Sequence, residues 1–128
     1  MQAYLLVGIG GAIGAMARYG TGVFVGRLWR ADFPLATLLI NIAGSLAMGL
    51  LVGWFARALP PSQEEIRLFV AVGVLGGFTT FSAFSLDAIA LMERGEVWQA
   101  AFYVGLSVVV SVVALWLGLL VMRTGAAA

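Results

Sequence analysis

Residues 76–82 read Gly76-Gly77-Phe78-Thr79-Thr80-Phe81-Ser82 and sit inside an apolar run over residues 68–92. Two adjacent glycines followed by β-branched and hydroxyl-bearing residues weaken a helix, so this run reads as a helix broken near its midpoint. Outward from it lie three more apolar runs, over residues 4–25, 35–55 and 98–122. Each exceeds the roughly 20 residues a helix needs to cross a hydrocarbon core about 30 Å thick. The expected fold is an all-α membrane protein: a single four-helix transmembrane domain over 1–128 whose third helix is broken at mid-membrane.

Composition excludes most alternatives. Of 128 residues, 62% are hydrophobic and 10% charged, and the mean hydropathy is +1.06. Too few polar side chains exist to cover the outside of a water-soluble domain. The basic residues are all arginines, and with six acids the net charge is +1, so no basic face is available for nucleic acid. Cysteine and histidine are both absent. That removes disulfides, thiolate chemistry and the commonest transition-metal ligands, and argues against an enzyme built on a nucleophile and base.

The boundaries between runs are chemically marked. Ala15, Met16 and Ala17 imitate a signal-peptidase site, but residues 1–6 carry no charged side chain, so the first helix is expected to be retained. Pro34 suits the start of the second helix. Residues 57–67, with Pro60, Pro61, Glu64 and Glu65, read as an aqueous loop, and residues 94–96 as the last turn. Outside the spans the arginines split three against three, and Arg18, inside the first run, tilts this at most to three against four. Arg57, Arg67 and Arg123 fall on one face of the membrane and Arg27, Arg30 and Arg94 on the other. With no cytoplasmic excess to fix a direction, both orientations are expected to insert.

Four spans hardly enclose a pore, whereas two inverted copies resemble the inverted repeats of many transporters. An antiparallel homodimer is therefore the expected assembly. Gly10 with Gly14, Gly22 with Gly26, Gly49 with Gly53, and Gly73 with Gly77 have the spacing that lets helix backbones approach.

Thr37, Asn41 and Ser45 recur every four residues on one face of the second helix, and Tyr103, Ser107 and Ser111 do so on the fourth. In a membrane, Thr37 and Ser45 commonly bond to neighbouring helices, and serines bond back to their own helix carbonyls. The Asn41 amide is different: two N–H donors near the middle of an apolar span suit an anion. Beyond the break, Phe81 and Phe84 share a helical face, as do Ser82 and Ser85. Ring edges are positive and attract a small anion without a fixed charge. Arg18 and Asp87 are ionisable residues within spans, candidates for an entrance or vestibule.

Taken in order, Gly10-Gly11-Ala12-Ile13-Gly14-Ala15 with Arg18-Tyr19, Thr37-Leu38 with Asn41, and residues 76–82 resemble the Fluc (CrcB) family of fluoride channels. The resemblance covers nearly the whole chain. It implies a dual-topology antiparallel homodimer in the cell's inner (plasma) membrane, with two passive fluoride pores and no coupled ion. Such a channel relieves toxicity, because hydrogen fluoride enters neutral, ionises in the cytoplasm and leaves as the anion. Asn41, Phe81, Phe84, Ser82, Tyr103, Ser107 and Ser111 are the implied pore residues. The family's structural sodium ion at the dimer centre falls on the backbone carbonyls of Gly76 and Thr79. Ala83 stands where the family often has Thr, Asp87 where it has Glu, and Leu115 continues the helix 4 stripe without a donor.

Two rival functions follow from the same architecture. A small multidrug-resistance-type exporter is also small and four-spanned, but it exchanges protons through a carboxylate in its first helix. No Asp or Glu occurs over residues 1–25. A membrane scaffold subunit without transport explains the glycine spacings but not donors clustered around a broken helix.

Overall fold

The structure, a computed structural model, describes residues 1–58 and 60–127, with side chains through Thr124. Its elements are α1 (Gln2–Leu28), α2 (Leu35–Ala58), α3 (Gln63–Ile66), a π-helical segment (Arg67–Leu75), α4 (Gly76–Phe78), α5 (Ser82–Glu93) and α6 (Val97–Ala127). All the regular structure among the described residues is helical. Leu35–Ala58, Gln63–Glu93 and Val97–Thr124 are long and apolar enough to cross a membrane. The expected first span, α1, is 27 residues and so about 40 Å long. Its glycines and Arg18 dilute its hydropathy, and it is not among those three.

Two expected boundaries move. The stretch 57–67 is largely helical rather than loop: Arg57 lies in the last turn of α2, and the next helix begins at Gln63. The helix dipole accounts for both shifts. A cation suits a C-terminal turn, and Glu64 and Glu65 suit the first turn of α3. Arg67 Nη2 then donates to Glu64 Oε1 at 2.8 Å and Nε to Oε2 at 3.2 Å.

The paired glycines are not where the third span breaks. Gly76 and Gly77 are both helical, and the interruption begins at Thr79, whose backbone is extended at φ −78°, ψ 158°. Gly77 serves close approach instead: a Cβ there would lie 2.5 Å from the carbonyl oxygen of Gly11. Added at Gly10, a Cβ would meet the Phe69 carbonyl, and at Gly14 that of Val74. Contacts that advance together along both chains mean that α1 runs parallel to the π-helical segment. On the other side, Gly49 abuts the Leu115 carbonyl, Gly53 Met122, and Gly118 Leu46 and Leu50, so α2 and α6 also run parallel. In lipid, where no hydrophobic force drives helices together, such close packing is what holds them. Gly22 and Gly26 have nothing within 4 Å.

One end of the bundle carries the aromatic core. Leu38, Phe84, Ala88, Leu91, Ala100 and Tyr103 are buried together, with Phe33 packed against them. The Phe33 and Tyr103 rings meet edge to face at 5.6 Å. At that end α5 closes on Gly95, at φ 81°, with Gly95 N–H on Met92 O and Glu96 N–H on Leu91 O. That pair of bonds satisfies carbonyls the helix end would orphan. Arg94 Nη2 donates to Asp32 O at 3.5 Å, bringing the α5–α6 turn against the α1–α2 connection.

Candidate functional site

The break releases main-chain groups that a continuous helix would pair internally. Thr79 stays tied to the preceding turn, with both its N–H (3.0 Å) and its hydroxyl (2.9 Å) on Leu75 O. Thr80 N–H, which helical geometry would direct to Gly76 O, is accepted by Asn41 Oδ1 at 2.9 Å. Asn41 Nδ2 donates in return to Thr80 O at 2.9 Å. Thr80 then caps α5, its Oγ1 accepting Ala83 N–H at 3.2 Å. That bond diverts the N–H that would otherwise reach Thr79 O. The carbonyls of Gly76 and Thr79 thereby lose their helical donors to Asn41 and to the Thr80 hydroxyl. Among the described residues no group of three or more His, Cys, Asp or Glu side chains is placed to hold a metal.

Beside the break lies a groove of about 370 Å³. Asn41, Gly44, Ser45 and Met48 line it from α2, Thr79, Thr80, Phe81 and Phe84 from the break and α5, and Ser107, Val108, Ser111 and Leu115 from α6. Because α2 and α6 run in step, Asn41 and Ser45 on one wall accompany Ser107 and Ser111 on the other. Both walls turn apolar further along, at Met48 and Leu115. The Ser107 and Ser111 hydroxyl oxygens are buried and have no hydrogen-bond partner among the described residues. An unsatisfied buried hydroxyl costs about 1–3 kcal/mol, so the pair favours a ligand that forms hydrogen bonds, and each hydroxyl has a donor to give to an anion.

Aromatic rings border the same groove. Phe81 is 78% exposed and Phe84 9%, with centroids 5.6 Å apart and planes inclined at 49°. Phe84 in turn meets Tyr103 at 5.2 Å. The buried ring is thus fixed by the aromatic core, and the exposed ring stands over the groove.

The remaining sequence-derived candidates lie elsewhere. Tyr103 is fully buried, and its hydroxyl donates to Asp87 Oδ2 at 3.2 Å rather than continuing the serine track into the groove. Among the described residues Asp87 has this tyrosine, and no arginine, as its side-chain partner. Ser82 is exposed, its Oγ 3.4 Å from Thr80 Oγ1. Arg18 lies on α1, half-buried, one turn beyond Gly14 and outside the groove. Thr80 and Ser45 line the groove without having been singled out for it. For Thr80 a signal existed: a threonine just ahead of a resumed helix is a favoured N-cap.

Residues 5–119 match the family described as CrcB-like protein, Camphor Resistance (CrcB). The chain is 50% identical over 123 residues to a protein of Hyphomonas neptunium named Fluoride-specific ion channel FluC, spanning 96% of this chain and 97% of that one. A protein of the same name from Agrobacterium fabrum is 54% identical over 114 residues, 89% of this chain and 90% of that one. The namesake from Rhodospirillum centenum is 49% identical over 127 residues, covering 99% and 100%. A match that runs through the α1 crossing, the broken third span and both walls of the groove places this chain in the CrcB family.

Proposed function

We infer that the chain is a multi-pass membrane protein of the inner (plasma) membrane that conducts fluoride passively out of the cytoplasm. The observation that carries this reading is the pair of buried, unpartnered hydroxyls of Ser107 and Ser111 in a groove bordered by two phenylalanine rings. Fluoride is small and a strong hydrogen-bond acceptor, so hydroxyl and amide donors replace its hydration shell while offering no full charge to trap it. Phenylalanine edges add weak attraction from the apolar side. Chloride, larger and a weaker acceptor, gains less from the same donors.

In this reading α1 crosses the bilayer with the other three, carried by its packing along the third span. A second copy in inverted orientation completes the channel, giving two pores per dimer. The balanced arginines allow both orientations, and the exposed ring of Phe81 and open faces of Gly22 and Gly26 leave surface for the partner. Carbonyls of Gly76 and Thr79, two from each copy, would hold a structural sodium ion at the dimer centre. Its role there is to stabilise the break by neutralising carbonyl dipoles.

The test is efflux from liposomes containing the purified protein, loaded with potassium fluoride or potassium chloride and triggered with valinomycin, followed by ion-selective electrodes. Rapid fluoride loss with chloride retained is the expected result. Folded protein that releases neither anion returns the chain to the scaffold reading.

A further inference from the structure

We propose that Asn41 is a positioning residue whose amide splints the helix break and thereby sets Phe81 over the groove. The functional half of this proposal rests on the fluoride-channel reading; the structural half stands without it.

An asparagine amide offers one carbonyl oxygen and two N–H donors. Here Oδ1 accepts the Thr80 N–H and Nδ2 donates to the Thr80 carbonyl, both at 2.9 Å. Two antiparallel bonds to one residue fix an orientation, where a single bond would leave a pivot. The pairing also meets a strict demand of lipid. Thr80 carries main-chain groups that have left the helical ladder within a span, and such groups must find partners inside the protein. Asn41 satisfies both, 39 residues away in sequence and on a different helix.

The consequences reach the groove through the next residues. Thr80 is 8% exposed, and its hydroxyl caps α5 by accepting Ala83 N–H. Phe81 follows directly, and its carbonyl accepts both the N–H and the hydroxyl of Ser85 at 2.9 and 3.0 Å. A displaced Thr80 therefore moves the start of α5 and the rings of Phe81 and Phe84 with it. By contrast, Ser107 and Ser111 make no hydrogen bond to the break, so their loss removes donors and leaves the backbone in place.

Hydrogen–deuterium exchange at residues 78–83, measured beside fluoride efflux, separates the two roles. Asn41→Leu keeps much of the side chain's bulk in an apolar setting, and Asn41→Ala removes it. In both, the Thr80 amide should exchange about tenfold faster, the effect of losing roughly one hydrogen bond. Fluoride efflux should fall at least about tenfold in the leucine variant while the protein still elutes as the parent does and stays folded at the assay temperature, a loss that a lowered melting temperature alone would not produce. Ser107→Ala should lower efflux with Thr80 exchange unchanged. Thr80 exchange within about twofold of the parent in the leucine variant overturns the proposal. Faster exchange there, in a protein whose parent form conducts no fluoride, supports the splint and removes the channel reading instead.

Discussion

Two hydroxyl-bearing stretches of a single helix behave in opposite ways. Near the end of α6, Thr124 Oγ1 donates to the carbonyls of Leu120 and Val121 at 3.0 and 3.3 Å. In the middle of the same helix, Ser107 and Ser111 bury their oxygens without any such bond. Thr21, Thr79 and Ser85 follow Thr124, each donating to the carbonyl four residues back. Back-bonding is the ordinary local solution for a hydroxyl in an apolar helix. Where the groove runs past α6 the two serines forgo it, and their donors stay free for the anion of the proposed function.

The largest expected effect sharpens this comparison by asking whether free donors suffice. Phe81→Ile keeps apolar bulk and removes the ring edge. Fluoride efflux should be abolished while the protein still elutes as the parent does, although Ser107 and Ser111 are untouched. Normal efflux from this variant would remove the ring from the conduction path and leave the hydroxyls alone responsible.

Next in size is the direct attack on the free pair. Hydrogen bonds to a charged partner contribute about 1.5–3 kcal/mol each, and about 1.4 kcal/mol is a factor of ten. Ser107→Ala with Ser111→Ala should therefore lower fluoride efflux by about a hundredfold or more. Stability in detergent should hold or rise, because the substitution deletes two unsatisfied buried hydroxyls. A double variant that melts earlier and conducts as before would show that the serines are structural after all.

A third measurement contrasts these serines with a hydroxyl that is engaged. Thr80 Oγ1 accepts the Ala83 N–H, so Thr80→Ala removes an N-cap and should cost about 1 kcal/mol of stability. Thermal melts of the two kinds of alanine variant should move in opposite directions. Equal shifts would mean that capping at the break counts for little.

Much of this was legible in the residues, and the losses have physical causes. Hydropathy located the apolar runs, and the glycine, β-branched and hydroxyl composition of residues 76–82 marked the stretch in which the break falls, at 79–81. The glycines at 76 and 77 misled because a glycine in a membrane helix serves close packing as readily as it weakens the helix, and a Cβ at Gly77 would strike α1. The π-helical turn over Arg67–Leu75 has no signal in the residue pattern, since the same apolar spacing fits either ladder. Four-residue spacing put Tyr103, Ser107 and Ser111 on one face, and of the three the two serines line the groove. The tyrosine ring is long enough to leave that face for the aromatic core and bond Asp87. Spacing along one helix cannot report which neighbour a side chain reaches, and Asn41 teaches the same lesson: its depth was evident, its partner in the break of the third span was not.

The smallest expected effect is the control on which the opening contrast depends. Thr124 shares its helix with the free serines, lies beyond the groove and is exposed. Its hydroxyl already has two carbonyl partners, so it offers an anion little, and alanine is the better helix former by a few tenths of a kcal/mol. Thr124→Ala should therefore leave fluoride efflux within about twofold of the parent and stability unchanged or slightly raised. Should efflux instead fall as far as it does for Ser107→Ala, the loss would not track whether a hydroxyl is free, and the distinction between the two ends of α6 would have no functional content.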